Sequence, residues 1–159
     1  MRGALETEAL VRSLAEAHTG RRKIWLAGAG PAGVSAMEAA LKIKEASYLD
    51  AEGMSTEQML HGPFQSADPQ DLMILVAPAG VGQARTLDLA AETKEVGLDL
   101  IVISDGTPAA LRDGAAGWVV VPEIAEPFSA LTTLVPLHFL AYWFALSRGT
   151  MSVSRAPWP

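Results

Sequence analysis

The chain has no cysteine, and this absence excludes several kinds of chemistry. Without thiols it forms neither a disulfide framework nor a cysteine-ligated metal site, and it has no thiolate nucleophile. Charged residues are few, at 19% of the 159 residues, and acidic residues outnumber basic ones by 18 to 12. The net charge of −6 argues against binding along a nucleic-acid backbone, which requires a basic surface that displaces counterions. We therefore expect no nucleic-acid partner and no bound metal.

The sequence also shows no internal repeats, no flexible linkers and no pattern typical of a secretion signal. The first residues, MRGALETEALVRSL, mix charged with apolar side chains and contain no continuous hydrophobic stretch, so we expect a cytoplasmic protein. Half of the residues are hydrophobic and the mean hydropathy is +0.23, which suffices for a core and excludes intrinsic disorder. We expect residues 1–159 to form one domain, with an N-terminal helix within 1–20 and a C-terminal apolar helix over 126–148.

One uncharged segment, residues 128–146, is long enough to cross a membrane. Pro136, His138 and three hydroxyl side chains interrupt it, and the sequence has no second such segment. A helix that is apolar on all sides is also typical of a central helix packed on a sheet or across a dimer. We expect this buried or interface helix, with His138 as a satisfied core or interface histidine, and no membrane partner.

Four short apolar runs alternate with helical segments along the chain. A strand that is apolar throughout is typical of a parallel sheet covered on both faces, because a half-exposed strand would alternate with polar residues. The sequence therefore predicts an α/β fold, a three-layer αβα sandwich with a mainly parallel sheet of four or five strands. Ligands in such sheets bind beyond the carboxyl ends of the strands. The predicted strands are residues 24–27, 72–77, 100–104 and 118–121.

A glycine-rich turn follows the first predicted strand and resembles a dinucleotide-binding fingerprint. Gly28, Gly30 and Gly33 form a G-x-G-x-x-G pattern before a helix, and Asp50 follows about twenty residues later. A dinucleotide site would need a second strand ending at Asp50, but the preceding letters KEASYLD contain no β-branched residue and remain compatible with a helix. We prefer a turn that needs small residues for close packing, and we expect no cofactor.

The segment 40–63, ALKIKEASYLDAEGMSTEQMLHGP, contains a Lys-x-x-Glu pair followed at a fixed distance by His-Gly-Pro. In this segment the chain resembles the sugar isomerase (SIS) domain family, in particular the second such domain of glucosamine-6-phosphate synthase. Residues 135–150, VPLHFLAYWFALSRGT, resemble the end of the same domain. The resemblance covers nearly the whole chain and implies a SIS-type, flavodoxin-like fold.

Lys42 and Glu45 lie three residues apart on a predicted helix and therefore face the same way. A carboxylate beside an ammonium stays ionised, and partial burial lifts its pKa towards the range of a general base. Interconversion of an aldose and a ketose phosphate needs one such base and a group that opens the sugar ring. The resemblance implies Glu45 as the base, Lys42 as its electrostatic partner and His61 as the ring-opening group. In the family this histidine serves the neighbouring subunit, so a homodimer is implied.

Simpler interpretations stay open for these residues. Lys42 and Glu45 could form an ordinary surface ion pair, worth a few tenths of a kcal/mol, and His61 could merely end a helix. The family's serine- and threonine-rich phosphate loop is replaced by PAGVGQART at residues 78–86. In this loop Arg85 and Thr86 are weak candidates for substrate binding, with a solvated helix face as the alternative.

We therefore expect a sugar-phosphate-binding SIS domain, an aldose–ketose isomerase or deglycase-type protein of sugar or amino-sugar phosphates. The retained Lys42, Glu45 and His61 favour the enzyme. The missing phosphate loop favours a non-catalytic phosphosugar-binding or regulatory module, or half of a split two-chain enzyme. The tail favours the same alternatives, because the family has a lysine there and the only basic residue among 152–159 is Arg155.

Overall fold

A computed structural model describes residues 2–106 and 108–150, and the tail with Arg155 lies outside the described residues. Its centre is a five-stranded sheet in which every pair of neighbouring strands is parallel, in the order β2-β1-β3-β4-β5. This confirms the predicted α/β fold and the upper of the two predicted strand counts. The strands are β1 Ile24–Gly28, β2 Ala51–Ser55, β3 Leu72–Val76, β4 Asp99–Ser104 and β5 Gly117–Val120.

Helices cover both faces of the sheet. One face packs on the helices of residues 8–18, 31–47 and 130–147 (α2, α3 and α6) through strand residues such as Leu26 and Ile74. The other face packs on the helices of residues 56–60 and 83–96 (α4 and α5) through the neighbouring residues Trp25 and Leu75. This alternation of fully buried residues produces two hydrophobic cores, as expected for a sheet covered on both sides. The helices are α1 Arg2–Leu5, α2 Glu8–His18, α3 Pro31–Ser47, α4 Thr56–Leu60, α5 Gln83–Val96 and α6 Ala130–Ser147, with 3₁₀ turns at Pro63–Ser66, Ala109–Leu111 and Glu126–Phe128.

The strand β2 corrects the expectation that the segment around Asp50 continues as a helix. The helix α3 ends at Ser47 because Tyr48 adopts a left-handed conformation with φ 58°, and its N–H donates to the carbonyl of Lys44. Left-handed backbone at the first residue beyond a helix is a common stop signal, although glycine is the usual residue there. The chain then turns and pairs Ala51 with Ile24 at the start of β1.

The glycine-rich turn is packed as a close strand-to-helix connection. A Cβ atom at Gly28 would lie 2.6 Å from the backbone carbon of Ala32, and one at Gly33 would lie 2.9 Å from the carbonyl oxygen of Gly28. Asp50 precedes β2 and therefore lies at the opposite end of the strands from Gly28, near Lys23 at 3.8 Å. The acidic residue of the fingerprint is thus not beside the glycines, which supports the packing interpretation.

The helix α6 is the apolar segment that resembled a membrane span. The stretch Glu126–Ser147 is long and apolar enough to cross a membrane by length and composition, but half of its most apolar window is buried inside the domain. Leu137, Leu140 and Phe144 are fully buried, and α6 packs against both α2 and α3. One side of the helix therefore packs into the domain, and the interface expected for an all-round apolar helix stays a prediction for its exposed side, which includes Leu131 and Leu146.

A buried carboxylate just before β3 is hydrogen-bonded to residues at the start of β1. Asp71 is fully buried and accepts two hydrogen bonds of 2.7 Å from the guanidinium of Arg22. It also accepts one of 2.9 Å from the indole N–H of Trp25 and one of 3.1 Å from the backbone N–H of Asp68. The charge is therefore paired and its oxygens are satisfied, as burial of a carboxylate requires.

Candidate functional site

A cleft between α3 and α6 is lined by Lys42 and Glu45, two of the five candidate site residues from the sequence. It has a volume of about 420 Å³, within the range of small-molecule sites. Two helices that pack side by side along one face of the sheet form its walls. We call it the α3–α6 cleft, and its lining residues are Lys42, Glu45, Ala46, His138, Ala141 and Tyr142.

Lys42 and Glu45 form an ion pair in this cleft, with 2.9 Å between Nζ and Oε2. Glu38, one turn earlier on α3, lies 3.9 Å from the same Nζ. The hydrogen bond to Glu45 and its negative charge raise the pKa of Lys42, so the lysine stays protonated at neutral pH. The side chain of Glu45 is 54% exposed, so this chain alone provides only part of the burial expected for a general base.

His138 and Tyr142 form the opposite wall of the cleft, and the sequence interpretation did not place them in the functional site. His138 is exposed and lines the same cleft as Glu45, so it is not a core histidine. The interface position that the sequence allowed for it stays a prediction. The two residues are four apart on α6 and therefore share a face. The signal was hidden because α6 is apolar on nearly all sides, so its sequence does not distinguish the cleft-facing side.

His61 lies away from the cleft. It follows α4, on the opposite face of the sheet from α3, and its side chain is 74% exposed. Its Nε2 is 3.3 Å from Oε2 of Glu57, one helical turn earlier. Within one copy of the chain, His61 and Glu45 are therefore separated by the sheet.

Arg85 and Thr86 are both engaged inside the chain. The guanidinium of Arg85 donates to Glu57 at 2.7 Å and to Asp88 at 2.6 Å, and these hydrogen bonds raise its pKa. The same contact with Arg85 lowers the pKa of Glu57. Thr86 is buried, and its hydroxyl donates to the carbonyl of Gly82 at 3.2 Å. This arrangement fits a helix face with internal pairing better than a phosphate site.

The carboxyl ends of β1 and β3 mark the place where the strand order reverses, which is where ligands usually bind in such sheets. Here the crevice has a volume of only about 10 Å³, enough for one water molecule. The α3–α6 cleft is therefore the roomier candidate of the two. Among residues 2–106 and 108–150, no group of three histidine, aspartate or glutamate side chains is arranged to hold a metal ion.

Solved structures with the same fold include several sugar-phosphate proteins. The C-terminal domain of glucosamine-fructose-6-phosphate aminotransferase from Francisella tularensis superposes with a TM-score of 0.82 at 27% identity, covering 94% of this chain and 42% of that one. Tagatose-6-phosphate ketose/aldose isomerase from Escherichia coli gives 0.74 at 22% identity, covering 98% and 47%. A protein of E. coli CFT073 in complex with a sugar phosphate gives 0.75 at 16% identity, covering 94% and 90%. The last two are similar in fold alone.

Sequence relatives agree with the first of these structures. The isomerizing glutamine–fructose-6-phosphate aminotransferase of Thermococcus kodakarensis is 33% identical over 146 residues, which is 92% of this chain and 24% of the relative. The enzyme of the same name from Zymomonas mobilis is 32% identical over 152 residues, 94% of this chain and 25% of the relative. The chain thus spans about a quarter of these relatives' length. Residues 19–148 match the SIS domain family, and the chain belongs to that family.

Proposed function

We propose that this SIS domain binds a sugar phosphate or amino-sugar phosphate in the α3–α6 cleft and interconverts its aldose and ketose forms. The observation that carries the proposal is the Lys42–Glu45 pair in the wall of a cleft of about 420 Å³. Relatives at about one-third identity that are named isomerizing aminotransferases of fructose 6-phosphate support the substrate class. A solved structure of the same fold in complex with a sugar phosphate is compatible with it.

Glu45 would act as the proton-transferring base. In the open-chain aldose, its carboxylate takes the proton from C2, the C2 electron pair forms a double bond to C1, and the carbonyl oxygen takes up a proton. Return of the proton from Glu45 to C1 of this enediol, with loss of the proton from the C2 hydroxyl, gives the ketose. Lys42 carries a positive charge 2.9 Å from Glu45, and this ion pair would orient the carboxylate in the cleft.

The proposed assembly is a homodimer in the cytoplasm. His61 lies on the far face of the sheet from Glu45, so its proposed role in ring opening requires a second copy. His138 offers an imidazole from the same chain, because it lines the cleft with Glu45. Comparison of His61→Gln with His138→Gln distinguishes these two sources of the ring-opening group.

A second candidate function is a non-catalytic phosphosugar-binding module, or one half of a two-chain enzyme. The pairing of Arg85 with Glu57 and Asp88 and the burial of Thr86 favour it, because neither Arg85 nor Thr86 is then free to bind a phosphate. In this case the chain would bind a sugar phosphate without turning it over.

The substitution Glu45→Gln tests the proposed reaction. We expect turnover of hexose or hexosamine phosphates to fall by about 10²- to 10⁴-fold, with binding within a few-fold of the wild type. Glu38→Gln is the matched control, since Glu38 also lies near Lys42 but does not line the cleft. Turnover is measured as exchange of the C2 proton with deuterium by NMR, and binding by calorimetry. Binding without exchange in the wild type favours the non-catalytic module, and lack of binding to any sugar phosphate contradicts both functions.

A further inference from the structure

Three charged side chains in line connect α5 to the histidine at the end of α4. Nε and Nη2 of Arg85 donate to the two carboxylate oxygens of Glu57 at 2.7 and 3.3 Å. Oε2 of Glu57 lies 3.3 Å from Nε2 of His61, one helical turn later. Asp88 accepts a hydrogen bond of 2.6 Å from the same guanidinium and so holds it from its own helix. We call Arg85, Glu57 and His61 the triad.

The backbone that carries Glu57 and His61 is held in place by the fold. Ser55 caps α4, since its Oγ accepts from the N–H of Gln58 at 3.2 Å and its own N–H donates to Oε1 of Gln58 at 3.1 Å. Met59 is fully buried and anchors this short helix in the core. Glu57 and His61 are four residues apart and therefore share a face of the helix. Their contact follows from this spacing.

The triad is too exposed to act mainly through stability. The exposed fractions of the side chains are 74% for His61, 53% for Glu57 and 44% for Arg85, and exposed ion pairs contribute little to stability. Its geometry serves orientation instead. A two-point contact with a planar guanidinium fixes the plane of the Glu57 carboxylate. A carboxylate fixed beside one ring nitrogen of a histidine orients the ring and favours a proton on that nitrogen, so the other nitrogen can accept one.

We propose that Glu57 is a positioning residue for His61, and that Arg85 fixes Glu57 in this role. The proposal gives Arg85 a task other than substrate binding, in keeping with its two internal carboxylate partners. It rests on the proposed function, because His61 acts only if it opens the sugar ring in the α3–α6 cleft of a second copy.

The step that the triad would assist is ring opening. In the cyclic form of an aldose phosphate, Nδ1 of His61 takes the proton of the C1 hydroxyl. The electron pair of that oxygen forms the carbonyl group while the bond from C1 to the ring oxygen breaks, and the proton passes from Nδ1 to the ring oxygen. The imidazolium present between these transfers lies beside the negative charge of Glu57. The hydrogen bond from Arg85 lowers the pKa of Glu57, so the carboxylate stays ionised at neutral pH and stabilises the imidazolium.

Mixed dimers test the proposal, because they place the histidine and the base on different copies. A copy with Glu45→Gln supplies only His61, and a copy with His61→Gln supplies only Glu45. The two are co-expressed with different affinity tags, and the mixed dimer is purified on both tags. Turnover of glucose 6-phosphate and glucosamine 6-phosphate is measured as exchange of the C2 proton with deuterium by NMR.

We expect each copy alone to be inactive and the mixed dimer to be active. Adding Glu57→Ala to the copy that supplies His61 should lower kcat by on the order of tenfold or more with little change in KM. Adding it to the other copy should have no further effect, because the histidine of that copy is already replaced. Asp88→Asn is the matched control, since Asp88 pairs with Arg85 but forms no ion pair with His61 among the described residues. If Glu57→Ala does not fold, Arg85→Gln in the His61-supplying copy is expected to lower kcat in the same way.

Three results would overturn the proposal. Unchanged turnover, or an equal loss from Glu57→Ala in either copy, would give Glu57 no role or a merely structural one. An equal loss from Asp88→Asn would make the effect one of charge near Arg85. Full turnover by the His61→Gln copy alone would place the ring-opening group elsewhere and would leave the proposed role of Glu45 intact. A wild type that turns over neither sugar phosphate would contradict the proposed function itself, and this inference with it.

Discussion

Gly53 lies on β2 directly against α3, the helix that carries Lys42 and Glu45. A Cβ atom at this position would lie 2.7 Å from the backbone carbon of Ala36 and 2.7 Å from the Cα of Met37. It would overlap the carbonyl oxygen of Ala36 still more closely. Ordinary contact begins at 3.4 Å, so Gly53→Ala forces strand and helix apart by at least about 0.7 Å. Because the obstructing atoms belong to the backbone, no side chain can rotate to relieve the overlap.

We expect Gly53→Ala to cost about 1–3 kcal/mol in the free energy of unfolding, the range for overpacking in a dense core. For a chain of this size that loss corresponds to a fall in Tm of roughly 2–12 °C. The assay is urea unfolding followed by tryptophan fluorescence, with Gly20→Ala as the control. A Cβ atom at Gly20 meets nothing within 4 Å, so the control is expected to stay within about 0.5 kcal/mol of the wild type. A Gly53→Ala protein as stable as this control would refute the packing argument.

Two further predictions concern polar networks. Asp71→Asn removes a fully buried charge that accepts hydrogen bonds from Arg22 and Trp25. We expect the free energy of unfolding in urea to fall by about 2 kcal/mol or more, which is less than the full cost of breaking a buried pair because Arg22 is half exposed. The control is Asp50→Asn at an exposed position, and an equal loss there would contradict the reasoning. Glu57→Gln should change how stability depends on pH in the acid range. The contact with Arg85 lowers the pKa of Glu57, so the contribution of Glu57 to the free energy of unfolding is present above the ordinary glutamate pKa of about 4.3 and disappears as the pH falls through the lowered value. The Tm difference between wild type and Glu57→Gln, measured from pH 7 to pH 3, should therefore shrink towards zero at the acid end, and a difference that is constant with pH would contradict the assignment.

Three of the four predicted strands, β1, β3 and β4, were recognisable because burial on both faces leaves an uninterrupted apolar signature. The edge strand β5 was recognisable because it is also apolar, although Val120 is half exposed. The strand β2 has no such signature, since its residues AEGMS include the exposed Glu52 and the half-buried Gly53 at the edge of the sheet. Its position also depends on the left-handed Tyr48, which ends α3 without the glycine that usually marks such a stop. Sequence patterns report burial and turn chemistry, and β2 is weak in both.

For the candidate site, local spacing was informative and long-range pairing was not. The three-residue spacing of Lys42 and Glu45 predicted their contact, because a helix alone brings such residues together. The partners of the β3–α5 turn come from much farther away: Glu126 is 45 residues from Val81, and Asp105 is 26 residues from Ala79. Arg85 is likewise neutralised by Glu57, 28 residues earlier. Such pairings depend on how the strand ends are ordered in the sheet, which no local pattern records.

The surface around Glu45 connects its proposed role as a base to the proposed dimer. Val34, Met37 and Leu41 are exposed on α3 and, together with Glu45, follow one another at helical spacings of three, four and four residues. They form a single stripe that ends at the carboxylate. Any surface that buries this apolar stripe also removes water from Glu45, and desolvation raises the basicity of a carboxylate. A second copy docked on this stripe would thus supply the burial that α3 and α6 alone do not.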